Sequence, residues 1–217
     1  MKKNNFLPEY ITFLNVKINV SQNVFIPRPE TEYWVKKAIR QIKMERKDKT
    51  KILDIFCGSG CIGISLLKNI KNCFVCFSDI DQRAIIQTKI NLKINNISFQ
   101  RFSIVKSNLF DNISGKYDYI FANPPYVDPD RINEVDKDVL KYESRLALFG
   151  GKQGLFYIKK FLGKVKKFIK SSGKVYFEFD PFQMVEIEKI FNKHNYFNFQ
   201  FYKDQFGKYR WAVLFDL

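Results

Sequence analysis

Lys51-Ile52-Leu53-Asp54-Ile55-Phe56-Cys57-Gly58-Ser59-Gly60-Cys61-Ile62-Gly63 decides the fold: an apolar run of strand length enters a glycine-rich turn and passes into a helical pattern. Glycines at such a turn allow close backbone approach to a ligand, and the helix start offers free N–H groups. The stretch is not a strict G-x-G-x-x-G dinucleotide pattern, and no Lys-Ser/Thr follows as a phosphate-binding loop requires. Downstream, a second apolar strand, Cys73 to Ser78, ends at Asp79. An acid at that edge can accept hydrogen bonds from both hydroxyls of a ribose. A third run, Tyr117 to Ala122, ends in Asn123-Pro124-Pro125-Tyr126. The prolines cannot extend a strand ladder, so the chain turns outward at Asn123. The Asn123 carboxamide oxygen and the Pro124 carbonyl then form two acceptors at the mouth of a crevice, with the flat ring of Tyr126 beside them. Such a site suits a planar NH2 group.

The rest of the chain continues the alternation. A hairpin is predicted over 10–26 from the alternating Ile11, Phe13, Leu14, Val16, Ile18 and Val20. A helix follows, with Pro29 near its start, Glu30 and Glu32 in its first turn and an apolar stripe of Tyr33, Trp34, Val35, Ala38, Ile39 and Ile42. Residues 43–51 read as a linker. Then come strand 51–56, helix 60–68, strand 73–79, helix 82–94, strands 99–105 and 117–122, helix 153–169, strand 173–179, helix 183–193 and strands 196–202 and 208–216. This order predicts an α/β fold with a mostly parallel sheet covered by helices on both faces. The last two strands form a hairpin, which makes one strand antiparallel. The organisation expected is an N-terminal segment with a hairpin over 1–28 and one α/β domain over 29–217, which the resemblance described below implies is catalytic.

Composition agrees with a packed domain. The 217 residues are 46% hydrophobic and 17% aromatic, with no apolar run near the ~20 residues that cross a bilayer. Met1-Lys2-Lys3 leads into Asn4-Asn5 and no signal peptide follows, so a cytoplasmic protein is expected. The net charge of +15 raises nucleic-acid binding, but the excess is lysine spread along the chain. Lys159-Lys160 and Lys164 to Lys170 interleave with Phe161, Leu162, Val165, Phe168 and Ile169, which predicts the solvated face of one amphipathic helix. Contact with RNA or the ribosome through this basic surface is the other reading. Cys73 and Cys76 have a zinc-like spacing, but residues three apart on a strand face opposite ways. His194 sits in a polar turn without a Ser or Cys nucleophile, so neither metal nor triad chemistry is expected.

Taken together, these segments resemble the class I S-adenosylmethionine-dependent methyltransferases and, more narrowly, the release-factor glutamine methyltransferases of the HemK/PrmC type. Pro27-Arg28-Pro29-Glu30-Thr31-Glu32 is similar to the family's PRPETE segment and Ile52 to Gly63 to its cofactor loop. Ser107 to Phe110 is similar to its adenine-side loop, and Asn123 to Tyr126 to its NPPY substrate motif. Leu146 to Gly151 and Glu178 to Gln183 resemble its later segments. The resemblance implies a seven-stranded Rossmann-like sheet and S-adenosylmethionine held by Phe56, Cys57, Gly58, Ser59 and Gly60 on the methionine side. Asp79 then serves the ribose, Asn108 and Leu109 the adenine, and Asn123 borders the cofactor. It implies catalysis by Asn123, Pro124, Pro125 and Tyr126, with Tyr126 and Phe25 walling the substrate, and release factors as partners. It also implies a helical docking domain ahead of the hairpin, where this sequence has Met1 to Glu9.

Several positions depart from the pattern. Phe56 stands where the family has Gly, and Asn108 where it has Asp. Ser144 replaces Pro, Gln153 an acid and Asp180 Gly, and these three are expected to lie away from the site. The activity implied is N5-methylation of the glutamine in a Gly-Gly-Gln loop. The alternatives are amino methylation of adenine or guanine in nucleic acid, since the same motif accepts an exocyclic NH2 stacked on Tyr126, and glutamine methylation of a ribosomal protein.

Overall fold

The structure, a computed structural model, describes residues 9–45 and 47–217, so the charged start Met1–Lys3 lies outside the described residues. A hairpin of β1 (Tyr10–Phe13) and β2 (Val16–Asn19) leads to helix α1 (Pro29–Glu45). Then follow β3 (Thr50–Ile55), α2 (Cys61–Asn69), β4 (Cys73–Asp79), α3 (Gln82–Ile94), β5 (Phe102–Lys106) and β6 (Tyr117–Ala122). The remainder is α4 (Lys137–Tyr142), α5 (Arg145–Leu148), α6 (Phe156–Lys164), β7 (Ile169–Glu178), α7 (Met184–Lys193), β8 (Phe199–Lys203) and β9 (Tyr209–Phe215). Seven strands form one sheet in the order β5-β4-β3-β6-β7-β9-β8. β9 is antiparallel to both its neighbours, and the other ladders are parallel. The expected Rossmann-like α/β sheet with one antiparallel strand is therefore what forms.

All six residues of β6 are buried, as a parallel strand covered on both faces requires. Alternate residues serve opposite layers. Ile52, Val75, Phe77, Tyr119 and Phe121 pack with α1, α2 and the hairpin, while Leu53, Ile55, Ile120 and Ala122 pack with α6 and α7. Cys73 and Cys76 fall in different layers for the same reason. Trp34 seats α1 on the sheet, its ring stacked 5.9 Å from Phe121 and 6.0 Å from Trp211. Each such pair adds about 0.5–1.5 kcal/mol beyond the area buried.

The hairpin turns at Leu14 and Asn15, both with positive φ (46° and 64°), the geometry of a two-residue turn that matches strand twist. Its free edge is closed by side-chain amides of α3. Asn91 accepts from Asn19 N at 2.8 Å and donates to Asn19 O at 3.0 Å. Asn95 does the same for Lys17, at 3.2 and 2.7 Å. Asparagines thus stand in for a missing strand and satisfy backbone groups that an open edge leaves exposed.

Four expectations are corrected. The hairpin stops at Asn19, not at residue 26: Asn19 Oδ1 accepts from Ser21 N at 3.1 Å and Ser21 Oγ at 2.6 Å, a local turn that takes the chain out of the strand. Phe99–Arg101 is a 3-10 turn before β5, with Phe99 largely exposed. The helix expected over 153–169 is divided into a turn at Lys152–Gly154, α6, and a turn at Val165–Lys167, and β7 already begins at Ile169. Lys164 to Lys170 therefore do not share one helical face; Lys164 pairs with Asp111 at 3.1 Å and Lys170 with Asp118 at 2.9 Å. The stretch after Tyr126, for which no element is expected, holds a 3-10 turn at Pro129–Glu134 and the two short helices α4 and α5. No helix among the described residues is long and apolar enough to cross a membrane.

Candidate active site

Strand order reverses between β3 and β6: the chain runs from β3 through β4 to β5 at one edge, then returns to the other side of β3. Ligands of open α/β sheets bind outside the carboxyl ends at such a reversal. Register places the site. Ile55 lies opposite both Ser78 and Ala122, and Ala122 lies opposite Phe177. The next residues, Phe56, Asp79, Asn123 and Glu178, therefore stand in one row along the carboxyl edge.

A cavity of about 220 Å³ opens on this row. Phe56, Cys57, Gly58, Ser59, Asp79, Asn108, Leu109, Asn123, Pro124, Pro125 and Tyr126 all line it, as does Phe25. Gly60 is the exception; it sits behind the loop as the residue before α2, with φ 77°. Asp79 is fixed by two backbone donors, Gly58 N to Oδ2 at 3.0 Å and Asp81 N to Oδ1 at 2.9 Å. Burial raises its pKa, and those N–H groups oppose the rise. Each oxygen keeps a second lone pair for a ligand. A Cβ added at Gly58 would meet nothing within 4 Å, so this backbone borders open space.

Phe56 adopts φ 61°, the left-handed region that favours glycine. Its ring meets Tyr157 and Phe161 edge-on, both at 6.2 Å. Backbone strain of about 1–2 kcal/mol is thus held by aromatic packing. Phe56→Gly removes the strain but also the ring contacts, and glycine adds about 0.4–1 kcal/mol of unfolded-state entropy. The expected outcome is a net loss of about 1–2 kcal/mol, read as a Tm lowered by roughly 2–8 °C. An unchanged or higher Tm would show that strain outweighs packing.

The Tyr126 side of the cavity is built on a buried acid. Glu178, 1% exposed at the end of β7, accepts at Oε2 from Thr31 Oγ1 (2.7 Å) and Trp34 Nε1 (2.6 Å), and at Oε1 from the Tyr126 hydroxyl (2.9 Å). Burial raises the Glu178 pKa, while the three donors pull it back. Burial and the adjacent Glu178 push the Tyr126 phenol well above its usual range, so it remains a donor. Asn123 Nδ2 donates to Thr31 Oγ1 at 3.4 Å. Among the described residues, neither Asn123 Oδ1 nor Pro124 O accepts a hydrogen bond.

The segment after Tyr126 forms one wall of the cavity through Val135, Val139, Leu146 and Leu148. It is tied down at three points: Arg28 pairs with Glu143, Arg83 Nη2 donates to Ser144 Oγ at 2.8 Å, and Ser144 N donates to Asn23 O at 3.1 Å. Ser144 therefore lies in the cavity lining, contrary to the expectation that it stands away from the site. Sequence reasoning also gave no role to Thr31 or Glu178. The signal for Glu178 was available: a lone acid ends an apolar strand there, as Asp79 does.

This fold and site define a class I methyltransferase. A methyltransferase small domain matches residues 39–176. Among solved structures, the hMettl16 catalytic domain in complex with an RNA hairpin shares the fold at TM-score 0.69 and 14% identity, covering 93% of this chain and 76% of that one. The T. thermophilus 16S rRNA methyltransferase in complex with AdoMet and guanosine aligns at TM-score 0.65 and 15% identity, covering 95% and 49%. Curated relatives are nearer in sequence. The release factor glutamine methyltransferase of Lactococcus lactis is 36% identical over 190 residues, 86% of this chain and 68% of that protein. That of Clostridium botulinum is 32% identical over 217 residues, 97% and 76%. The chain belongs to the release factor glutamine methyltransferase family.

Proposed function

We propose that this chain transfers a methyl group from S-adenosylmethionine to the side-chain amide nitrogen of the glutamine in the Gly-Gly-Gln motif of peptide chain release factors. Family membership supports the reaction, and one observation carries the site assignment: Asn123 Oδ1 and Pro124 O, consecutive at the strand reversal, accept no hydrogen bond from the described residues. The residues present fit the cofactor. Asp79 has lone pairs for two ribose hydroxyls, Gly58 borders open space, and Ser78 Oγ is a buried hydroxyl in the lining without a partner among the described residues. On this assignment Phe56 to Ser59 surround the methionine portion, with Gly60 behind them, and Asn108 and Leu109 the adenine.

S-adenosylmethionine supplies, when bound, an electrophilic methyl group on a sulfonium sulfur. A glutamine amide nitrogen is a poor nucleophile, because its lone pair is delocalised into the carbonyl. Asn123 and Pro124 accept its two hydrogens and so aim the nitrogen. The same acceptors stabilise positive charge as it grows there, the preorganisation of an oxyanion hole with signs reversed. Positioning of both reactants can lower a barrier by about 7–11 kcal/mol in favourable cases. Tyr126, held by Glu178, and Phe25 wall the substrate from water. Contact with RNA has no comparable support, since the basic stretch is divided and partly paired.

The test is transfer of label from radioactive S-adenosylmethionine to a release factor, to its loop variant with Gln→Ala, and to total RNA. Label on the intact release factor that disappears with the variant supports the reading. Label on RNA alone overturns it.

A further inference from the structure

Oxygen and nitrogen of a carboxamide are told apart by the hydrogen bonds around them, not by their positions. For Asn123 those bonds form a directional chain that begins at Trp34. An indole N–H can only donate, so Glu178 Oε2, 2.6 Å away, must be an acceptor. Thr31 Oγ1 also approaches Oε2, at 2.7 Å, and a hydroxyl beside an acceptor must commit its one hydrogen to it. Only lone pairs then remain on Oγ1. The end of Asn123 that meets them at 3.4 Å must be the NH2 end. Its oxygen is left facing the cavity. In the reverse orientation an oxygen would meet the lone pairs of Thr31, and two N–H donors would face a substrate that itself presents N–H donors.

We infer that Thr31, oriented by Glu178 and Trp34, is a positioning residue that sets the polarity of the Asn123 carboxamide and so makes the site an acceptor of NH2 groups. The inference rests on the reading of Asn123 as substrate acceptor. It gives a function to a threonine that is 1% exposed and sits on α1, a helix otherwise occupied with packing on the sheet. The strength is modest. A neutral hydrogen bond of ordinary net worth corresponds to about three- to tenfold in rate.

Thr31→Val removes the hydroxyl at nearly constant shape, and Thr31→Ser keeps it. Two quantities are read for each: single-turnover methyl transfer to a release factor at saturating S-adenosylmethionine, and the side-chain 1H–15N resonances of Asn123. Thr31→Val is expected to slow transfer about three- to tenfold with cofactor Kd unchanged, and to move both Asn123 resonances. Thr31→Ser is expected to restore rate and resonances. Equal losses in the two variants, one of which keeps the hydroxyl, would show that the fit of the side chain and not its hydroxyl sets the rate, which overturns the inference. So would a Thr31→Val protein with native rate and unmoved resonances. Should Thr31→Val not fold, Thr31→Ala reads the same quantities without placing a second methyl against the carboxylate. Asn123→Ala separates the two layers of argument. If it alone slows transfer, only the positioning role falls; if it too transfers at the native rate, the acceptor reading falls with it.

Discussion

Asn123→Ala is expected to lower kcat about 10²–10³-fold, by analogy with the removal of one preorganised hydrogen-bonding group from an oxyanion hole. The loss should appear in the chemical step. Asp79, which is expected to serve the cofactor, stands on the other side of β3 and is held by Gly58 N and Asp81 N, neither of which touches Asn123. Cofactor Kd, measured by calorimetry, should therefore change little. Stability should also change little, because the side chain makes one long bond, 3.4 Å to Thr31, within the fold. The expected fall in Tm is within about 2–4 °C, equivalent to ~1 kcal/mol for a chain of this size. A variant with native kcat, or one whose deficit lies wholly in cofactor Kd, would remove Asn123 from the chemistry.

Gly154→Ala should unfold the protein more readily than any surface change. Gly154 has φ 66°, and a Cβ built there would meet Tyr126 O at 1.8 Å and Gln183 Nε2 at 2.4 Å. That Nε2 is itself the clasp of the region, donating to Tyr126 O and to Gln153 O, both at 2.9 Å. Left-handed strain of about 1–2 kcal/mol adds to a backbone collision of ~1–3 kcal/mol or more, so a loss of about 3 kcal/mol is expected. The corresponding fall in Tm is roughly 6–12 °C. Activity should fall too, because the carbonyl that must retreat belongs to Tyr126. Gly207→Ala is the control. It has φ 78° but nothing within 4 Å of the added Cβ, so it carries the strain without the collision. Equal Tm losses in the two variants would mean that the turn at Gly154 yields freely.

What the sequence made legible follows from what periodicity can encode. β4, α3 and β6 are read to the residue, because each is an apolar pattern bounded by a polar or helix-capping residue such as Asp79, Asp81 or Asn123. The two loops that meet at the cavity, Phe56 to Gly60 and Asn123 to Tyr126, are legible as chain reversals, since these need Gly and Pro in particular places. The division of the helix expected over 153–169 is not legible. It depends on Gly154 and Gln153 taking positive φ to pass Tyr126, a contact made across the chain. The same holds for the role of Asn91 and Asn95, which read as composition until β2 lies against them. α4 and α5 are too short to show a period, and their tie to Arg28 spans more than a hundred positions. Thr31 and Glu178 stand 147 residues apart and acquire meaning only together.

The row of groups along the carboxyl edge has a consequence for how the molecule is assayed. Phe56, Asp79, Asn123 and Glu178 come from four neighbouring strands, each one position beyond the last pair that joins β4, β3, β6 and β7 to one another. A slip of β6 by one residue would carry Asn123 about 3.3 Å along the strand and turn its side chain to the opposite face. Such a molecule could be compact, helical by circular dichroism and soluble, and still be inert. Turnover per molecule in a refolded preparation is thus a census of correct strand alignment, a property to which bulk spectroscopic probes of folding are nearly blind.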